Sequence, residues 1–439
     1  MSTNRTTHFA HLLFLLISTP LFANQNWSDD IQYFRETVFE ADLSFSDTER
    51  ANAKMLLDRL ENSYQEMSEA SVELALAEIM AVSNNGHSFL MTGGWTHRYP
   101  RIPVQFRVFA DGIFIISANE EFESLVGRKL LGIEGNSVEK LQETWSKYQG
   151  GLSGWRNLYL PYFLETPAIL HAAGIAAEPS SLVLELATNH DEPEQLEILA
   201  TDDLPPLEGM DQYIAPSQLL VVSSQKPNSE LPLYLQSPGQ AFRFEMLENP
   251  KTAYIQFKAN VDFTGNQDID AFLDSVFGAL RNSRPQYVIL DQRFNFGGDL
   301  NITRELMQKI PEFLGVDGKI YIVTSGRTFS AGISSAGYIK QSAGAQAVIV
   351  GEPIGDELEF WAEGELEVLP DSGVTFLIGT ERHNYLTGCP EDDCHGSIQR
   401  HPIRVDSLQP DLPAPLTYAD WENGTDPALE AIETEIKSL

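Results

Sequence analysis

A multidomain α/β fold is predicted for this chain on three observations. Apolar residues recur at helical spacing from Trp27 to about Met91, an alternating apolar pattern follows at Ile102–Val108, and from Lys251 onward short apolar runs alternate with helical patterns. Strands and helices that take turns at that spacing imply a parallel sheet closed by right-handed crossovers.

The first segment, residues 24–95, reads as helical through Ile31, Phe34 and Val38, then Met55, Leu56 and Leu60, then Val72, Leu74, Leu76, Ile79 and Met80. It ends on Asn84-Asn85-Gly86-His87-Ser88, where Asn-Asn-Gly is turn chemistry and a histidine follows at once. Residues 96–148 begin with a strand at Ile102–Val108, an Asp111-Gly112 turn and a second strand at Ile113–Ile116. The run from Leu125 to Leu141 resembles the distal part of a PDZ module, which binds extended peptides at a sheet edge. The Gly-Leu-Gly-Phe loop of that module is absent, so a small β domain that only packs against its neighbours is the alternative. Residues 149–249 are a connector with some sheet, including a strand at Leu182–Leu186.

Before all of these, Arg5 precedes the apolar run Leu12–Ile17, followed by Pro20 and Ala23. That order predicts an export signal over residues 1–23, too short in its apolar run to span a bilayer, and a mature chain in the periplasm or outside the cell. Cys389 and Cys394 are the only cysteines, and in an oxidising compartment they are expected to close a short local disulfide; their spacing fits no common metal pattern, and no metal or cofactor is expected. Lys plus Arg number 29 against 63 Asp plus Glu, for a formal charge of −34. So acidic a chain is a poor partner for nucleic acid or an anionic membrane.

The region 250–430 is the most informative. Strands are predicted at 253–257, 287–291, 319–323 and 347–350, with helices centred on 269–280, 300–313 and 330–342. Function in such a layout gathers where strands end and helices begin. Two loops qualify: Asp291-Gln292-Arg293-Phe294-Asn295-Phe296-Gly297-Gly298 and Gly326-Arg327-Thr328-Phe329-Ser330-Ala331-Gly332. Ser330 at a helix start could be a plain N-cap. Beside a Gly-Gly backbone it could instead be a nucleophile next to donors for an oxyanion.

These motifs, together with Gly351-Glu352-Pro353-Ile354-Gly355, Leu369-Pro370-Asp371-Ser372-Gly373 and Leu408-Gln409-Pro410-Asp411-Leu412, resemble the tail-specific (C-terminal processing) protease family over about Lys251 to Glu430. The resemblance implies a crotonase-like catalytic domain, a serine peptidase acting on peptides or proteins, Ser330 as nucleophile, and an oxyanion hole from Gly297, Gly298 and Ala331. The best-known branch uses a lysine base where this chain has Glu357. Past Ser330 the remaining lysines are Lys340, about 15 Å along the same helix at 1.5 Å per residue, and Lys437. The sequence is therefore more similar to the histidine-type, tricorn-like branch, with Asn85-Gly86-His87-Ser88 carrying the base, and histidine has a suitable pKa. Related sequences place an aromatic-Gly-Glu where this one has Trp361-Ala362-Glu363, so Glu363 leads as the acid that orients His87, with Glu352, Glu357 and Asp406 as alternatives. The competing expectation is a catalytically inactive peptide- or ligand-binding member of the same fold.

Overall fold

The computed structural model describes residues 26–188, 193–204, 222–223, 231–237, 239–248, 251–262, 268–315 and 317–439. The expected export signal lies outside these residues. Among the described residues no helix is long and apolar enough to cross a membrane.

The chain begins with α1 (Trp27–Ala41), α2 (Asp47–Ser63) and α3 (Glu69–Ala81). Ser46 and Glu49 form a reciprocal capping box that starts α2, and Ser68 caps α3, each satisfying N–H groups the first turn cannot pair. The His87 turn leads into β1 (Phe89–Leu90) and α4 (Trp95–Arg98). Next come β2 (Val104–Phe109), β3 (Gly112–Ala118), β4 (Lys129–Ile133), β5 (Asn136–Ser137) and α5 (Val138–Trp145), then α6 (Ser153–Leu164), α7 (Pro167–Ala172), β6 (Ser181–Leu186), β7 (Glu194–Leu199) and β8 (Val222–Ser223). β9 (Phe242–Leu247) opens the C-terminal unit, followed by β10 (Thr252–Phe257), α8 (Ile269–Ser283), β11 (Tyr287–Asp291), α9 (Leu300–Lys309), β12 (Lys319–Thr324), α10 (Ala331–Ala343) and β13 (Ala347–Gly351). The chain finishes with β14 (Glu359–Val368), β15 (Thr375–Asn384), α11 (Gly396–Arg400), β16 (Leu412–Pro413), α12 (Tyr418–Asn423) and α13 (Pro427–Ser438).

Among the described residues these strands form three sheets. The six-stranded sheet of the C-terminal unit has the order β16-β13-β12-β11-β10-β9, parallel throughout except for the antiparallel edge strand β9. Its central strands are buried along their length, as apolar runs covered on both faces require. A second sheet contains β2-β3-β4-β6-β7, with β5 and β8 attached. The predicted β module therefore does not close at residue 148. β4 pairs with β6 from the connector, which covers what would otherwise be an open edge.

The third sheet, β1-β15-β14, positions the site. β1 adds antiparallel to β15, with Phe89 opposite Leu377 and Leu90 opposite Phe376, so the N-terminal segment donates a strand to a hairpin almost 290 residues away along the chain. Buried Asp30 in α1 reinforces the join by accepting from the backbone N–H groups of Asp371 and Ser372 at 2.8 and 2.9 Å, in the turn of that hairpin. The apolar core under α1–α3 runs continuously into Leu369, Val374, Phe376 and Ile378, and also includes Phe329.

Candidate active site

Ser330 sits between β12 and α10 at the N-cap position, with φ +49° and ψ −124°. An ordinary capping serine has extended backbone and accepts an N–H of the first turn. Ser330 makes no such bond. A residue with a side chain in this backbone region carries strain of about 1–3 kcal/mol, which the surrounding contacts must hold. They are numerous. Phe329 N–H donates to Asn295 O at 2.9 Å, Thr328 Oγ1 to Gln292 O at 2.8 Å, and Ser325 Oγ to Arg293 O at 2.6 Å, locking the serine loop onto the glycine loop.

The glycine loop is held from beneath. Arg293 makes a two-pronged ion pair with Asp426 at 3.0 Å per prong and a further bond to Asp291, while Tyr254 Oη donates to Asp291 at 2.8 Å. Asp426 is also the N-cap of α13, so the Asp-x-Arg part of the motif is an anchor between loop and C-terminal helix. Asn260 bonds to Asn295, Thr303, Ser335 and Ala331 O. Its role in fixing the floor of the site was not visible in the sequence, where Asn260 stands apart from both motifs.

Gly297 and Gly298 both have φ +122°. A Cβ on Gly297 would lie 2.6 Å from Ser330 Cβ and 3.1 Å from Ser330 Oγ, so the loop runs directly against the serine. Gly297 N–H donates to Asn295 Oδ1 at 3.1 Å. Among the described residues, no acceptor inside the chain is taken by the N–H of Gly298 or Ala331, the latter one of the unpaired donors at the start of α10. Of the three expected oxyanion donors, these two are available.

His87 lies on the turn between α3 and β1. Asn85 fixes that turn to β14 by donating to Trp361 O at 2.9 Å and accepting from Trp361 N–H at 3.3 Å. Gly86 admits the close approach: a Cβ there would come within 2.9 Å of Asp356 Oδ2 and 3.0 Å of the Phe329 ring. The imidazole stacks on Phe329 at 4.1 Å between centroids and on Phe360 at 4.8 Å. Its Nδ1 meets Asp356 Oδ2 at 3.1 Å. A carboxylate at Nδ1 fixes the proton there and leaves the Nε2 lone pair as the acceptor. Nε2 is buried and has no hydrogen-bond partner among the described residues, so no direct bond joins it to Ser330; the ring reaches the serine loop through its stack on Phe329.

Asp356, 4% exposed, is not one of the four acids the sequence put forward. Glu363 instead accepts from His383 Nε2 at 3.0 Å. Burial pushes its carboxyl upward, but the hydrogen bond and charge of His383, with His395 and His87 adding, outweigh this and hold it at about 2. Glu352 accepts from Leu416 N–H at 3.0 Å, and Glu357 and Asp406 are exposed. Asp356 escaped notice because nothing in a chain this acidic distinguishes one loop aspartate; its closeness to His87 arises from the β1–β15 pairing. Lys340 is tied to Ala347 O and Asp411, each at 3.1 Å, and Lys437 pairs with Glu433. Cys389 and Cys394 are joined in a disulfide. A cleft of about 430 Å³ opens beside the serine loop, lined by Arg107, Leu158, Phe294 and Gly326 among others, without Ser330 or His87 in its wall.

No family model and no curated protein matches the chain. Among solved structures, mature CPAF complexed with lactacystin aligns over 94% of this chain and 98% of its own, with a TM-score of 0.56 and 12% identity. A CPAF mutant aligns over 93% and 96%, with a TM-score of 0.57 and 11% identity. The chain has the CPAF fold. At this identity the likeness to CPAF is one of fold, extending over nearly the whole of both chains. A photosystem II D1 C-terminal processing protease aligns over 91% of this chain and 98% of its own at 12% identity, with a TM-score of 0.38.

Proposed function

We propose that this chain is an exported serine peptidase of the tail-specific type, in which His87 removes the proton from Ser330 Oγ for attack on a peptide carbonyl. Asp356 holds the His87 ring and stabilises the imidazolium that forms. The N–H groups of Gly298 and Ala331 receive the developing oxyanion, and water then releases the acyl group from Ser330. The observation that carries this reading is Ser330 itself, held at φ +49° with no capping bond and packed against Gly297. A helix cap needs neither the strain nor the glycine. The His87–Asp356 pair adds an oriented base whose second nitrogen is unengaged. A gap between base and nucleophile before substrate binds is common, since such bonds often tighten only in the Michaelis complex. The CPAF fold and the tail-specific motifs support a protein or peptide substrate.

Digestion of a peptide library tests the proposal. Wild-type protein should generate new cleavage products and the Ser330→Ala variant, with an unchanged far-ultraviolet spectrum, none. Intact peptides in both reactions would favour the binding-only member of the fold.

A further inference from the structure

A second cluster of reactive side chains lies outside the machinery just described. Glu363, His383 and His395 each present a ligand atom, and these three atoms all lie within 4.8 Å of one another. They come from three places: an irregularity in β14, the end of β15, and the residue after Cys394. We propose that these three residues form a binding site for a divalent transition-metal ion of the zinc class.

The donor set has the right chemistry. Two imidazoles and one carboxylate suit a borderline ion such as zinc and match the three-ligand sets that leave a fourth position for water. Metal–nitrogen bonds of about 2.1 Å in tetrahedral array put ligand atoms roughly 3.4 Å apart. Glu363 Oε1 and His383 Nε2 already stand at 3.0 Å, and with all three atoms within 4.8 Å of one another, closing the set asks for shifts of about 1 Å.

The surroundings hold each ligand as an outer shell should. His383 Nδ1 meets Tyr385 Oη at 3.0 Å, and that hydroxyl meets Ser334 Oγ at 2.6 Å, a chain that can donate or accept and so frees Nε2 for a metal. His395 Nδ1 meets Glu381 Oε2 at 2.7 Å, which fixes the ring and its tautomer and leaves Nε2 for a metal. His395 stacks on His383 at 5.2 Å and 10°. Its backbone N–H donates to Arg382 O at 2.9 Å, and the neighbouring disulfide holds the loop that carries it.

Glu363 supplies a further sign. It stands at φ +66° where the register between β14 and β15 slips, and its side chain points to His383 as a result. Bulges of this kind re-aim a side chain, and strain on a residue with a Cβ needs a return. Phe360 stacks on both His87 and His383, so the two clusters share one packing residue.

Metal binding itself is the readout, so a chain without peptidase activity answers the question equally well. Tag-free full-length protein is stripped with chelator and titrated with cobalt(II) followed by visible absorption, and with zinc followed by calorimetry. One ion per chain is expected, with the intense absorption of low-coordinate cobalt. His395→Ala and Glu363→Gln, on partly accessible side chains, should weaken binding by at least roughly 10-fold with the fold intact, and Glu381→Gln by about 10–100-fold. Ser330→Ala should bind as wild type. Absence of binding, or binding that His395→Ala and Glu363→Gln leave unchanged, overturns the proposal.

Discussion

Ser330 and Gly297 occupy their positions through mutual exclusion of volume. With a Cβ on Gly297 only 2.6 Å from that of Ser330, one of the two residues must move, and φ +122° adds strain to any side chain there. Gly297→Ala should therefore slow acylation by on the order of 10²-fold or more, since a 1 Å displacement of a reacting group has that effect, while thermal stability changes much less. Asp356→Asn should cut turnover by roughly 10²–10⁴-fold with little change in KM, because Asn cannot hold the His87 tautomer or stabilise its charge. Equal turnover in wild type and Asp356→Asn would remove Asp356 from the mechanism. The serine and glycine motifs could be found by inspection because each is a local strand-to-helix loop. Asp356 could not, because its importance depends on which ring the fold brings to it.

At the scale of elements, the parallel unit was the most legible part. The predicted strands 287–291 and 319–323 correspond to β11 and β12, and the helices at 300–313 and 330–342 to α9 with its terminal turn and α10. Buried apolar strands and amphipathic helices announce themselves by period alone. The two-residue strand β1 carries no period, yet its pairing with β15 places His87. Asp30 was equally silent, being an acid within an amphipathic helix. Asp30→Ala should cost about 1.5–3 kcal/mol in chemical denaturation, the worth of hydrogen bonds to a charged acceptor, since the buried Asp30 carboxylate holds the N–H groups of Asp371 and Ser372. If the hairpin needs that clamp to hold β1, the same variant should also slow turnover.

For the whole molecule, the proposed site draws on segments far apart in the chain: His87 from the N-terminal helical segment, Ser330, Gly298 and Ala331 from the loops of the parallel sheet, and Asp356 from the loop after β13. The intervening sheet is braced by Glu165, fully buried at the end of α6, which accepts from Phe106 N–H at 2.9 Å and faces Arg101 at 3.4 Å. Burial, only partly opposed by Arg101, pushes its carboxyl up to about 7. A folded-state value above the unfolded one means the folded chain holds this proton more tightly. Its contribution is thus full below about pH 4.3, the ordinary glutamate value, and is lost as pH rises toward 7. The melting temperature of wild type relative to Glu165→Gln should accordingly be higher at pH 5 than at pH 8; a gap that does not change with pH would show that Glu165 is ionised throughout. The long-range joins that bring these segments together have no local signature, which is why the motifs were legible and their spatial partners were not.

Covalent labelling by a fluorophosphonate, mapped by peptide mass spectrometry, tests the central claim most directly. A single adduct on Ser330 is predicted in the wild type, none in Ser330→Ala, and labelling at least about 10²-fold slower in His87→Ala. An adduct on another residue, or equal labelling of wild type and His87→Ala, would contradict the account.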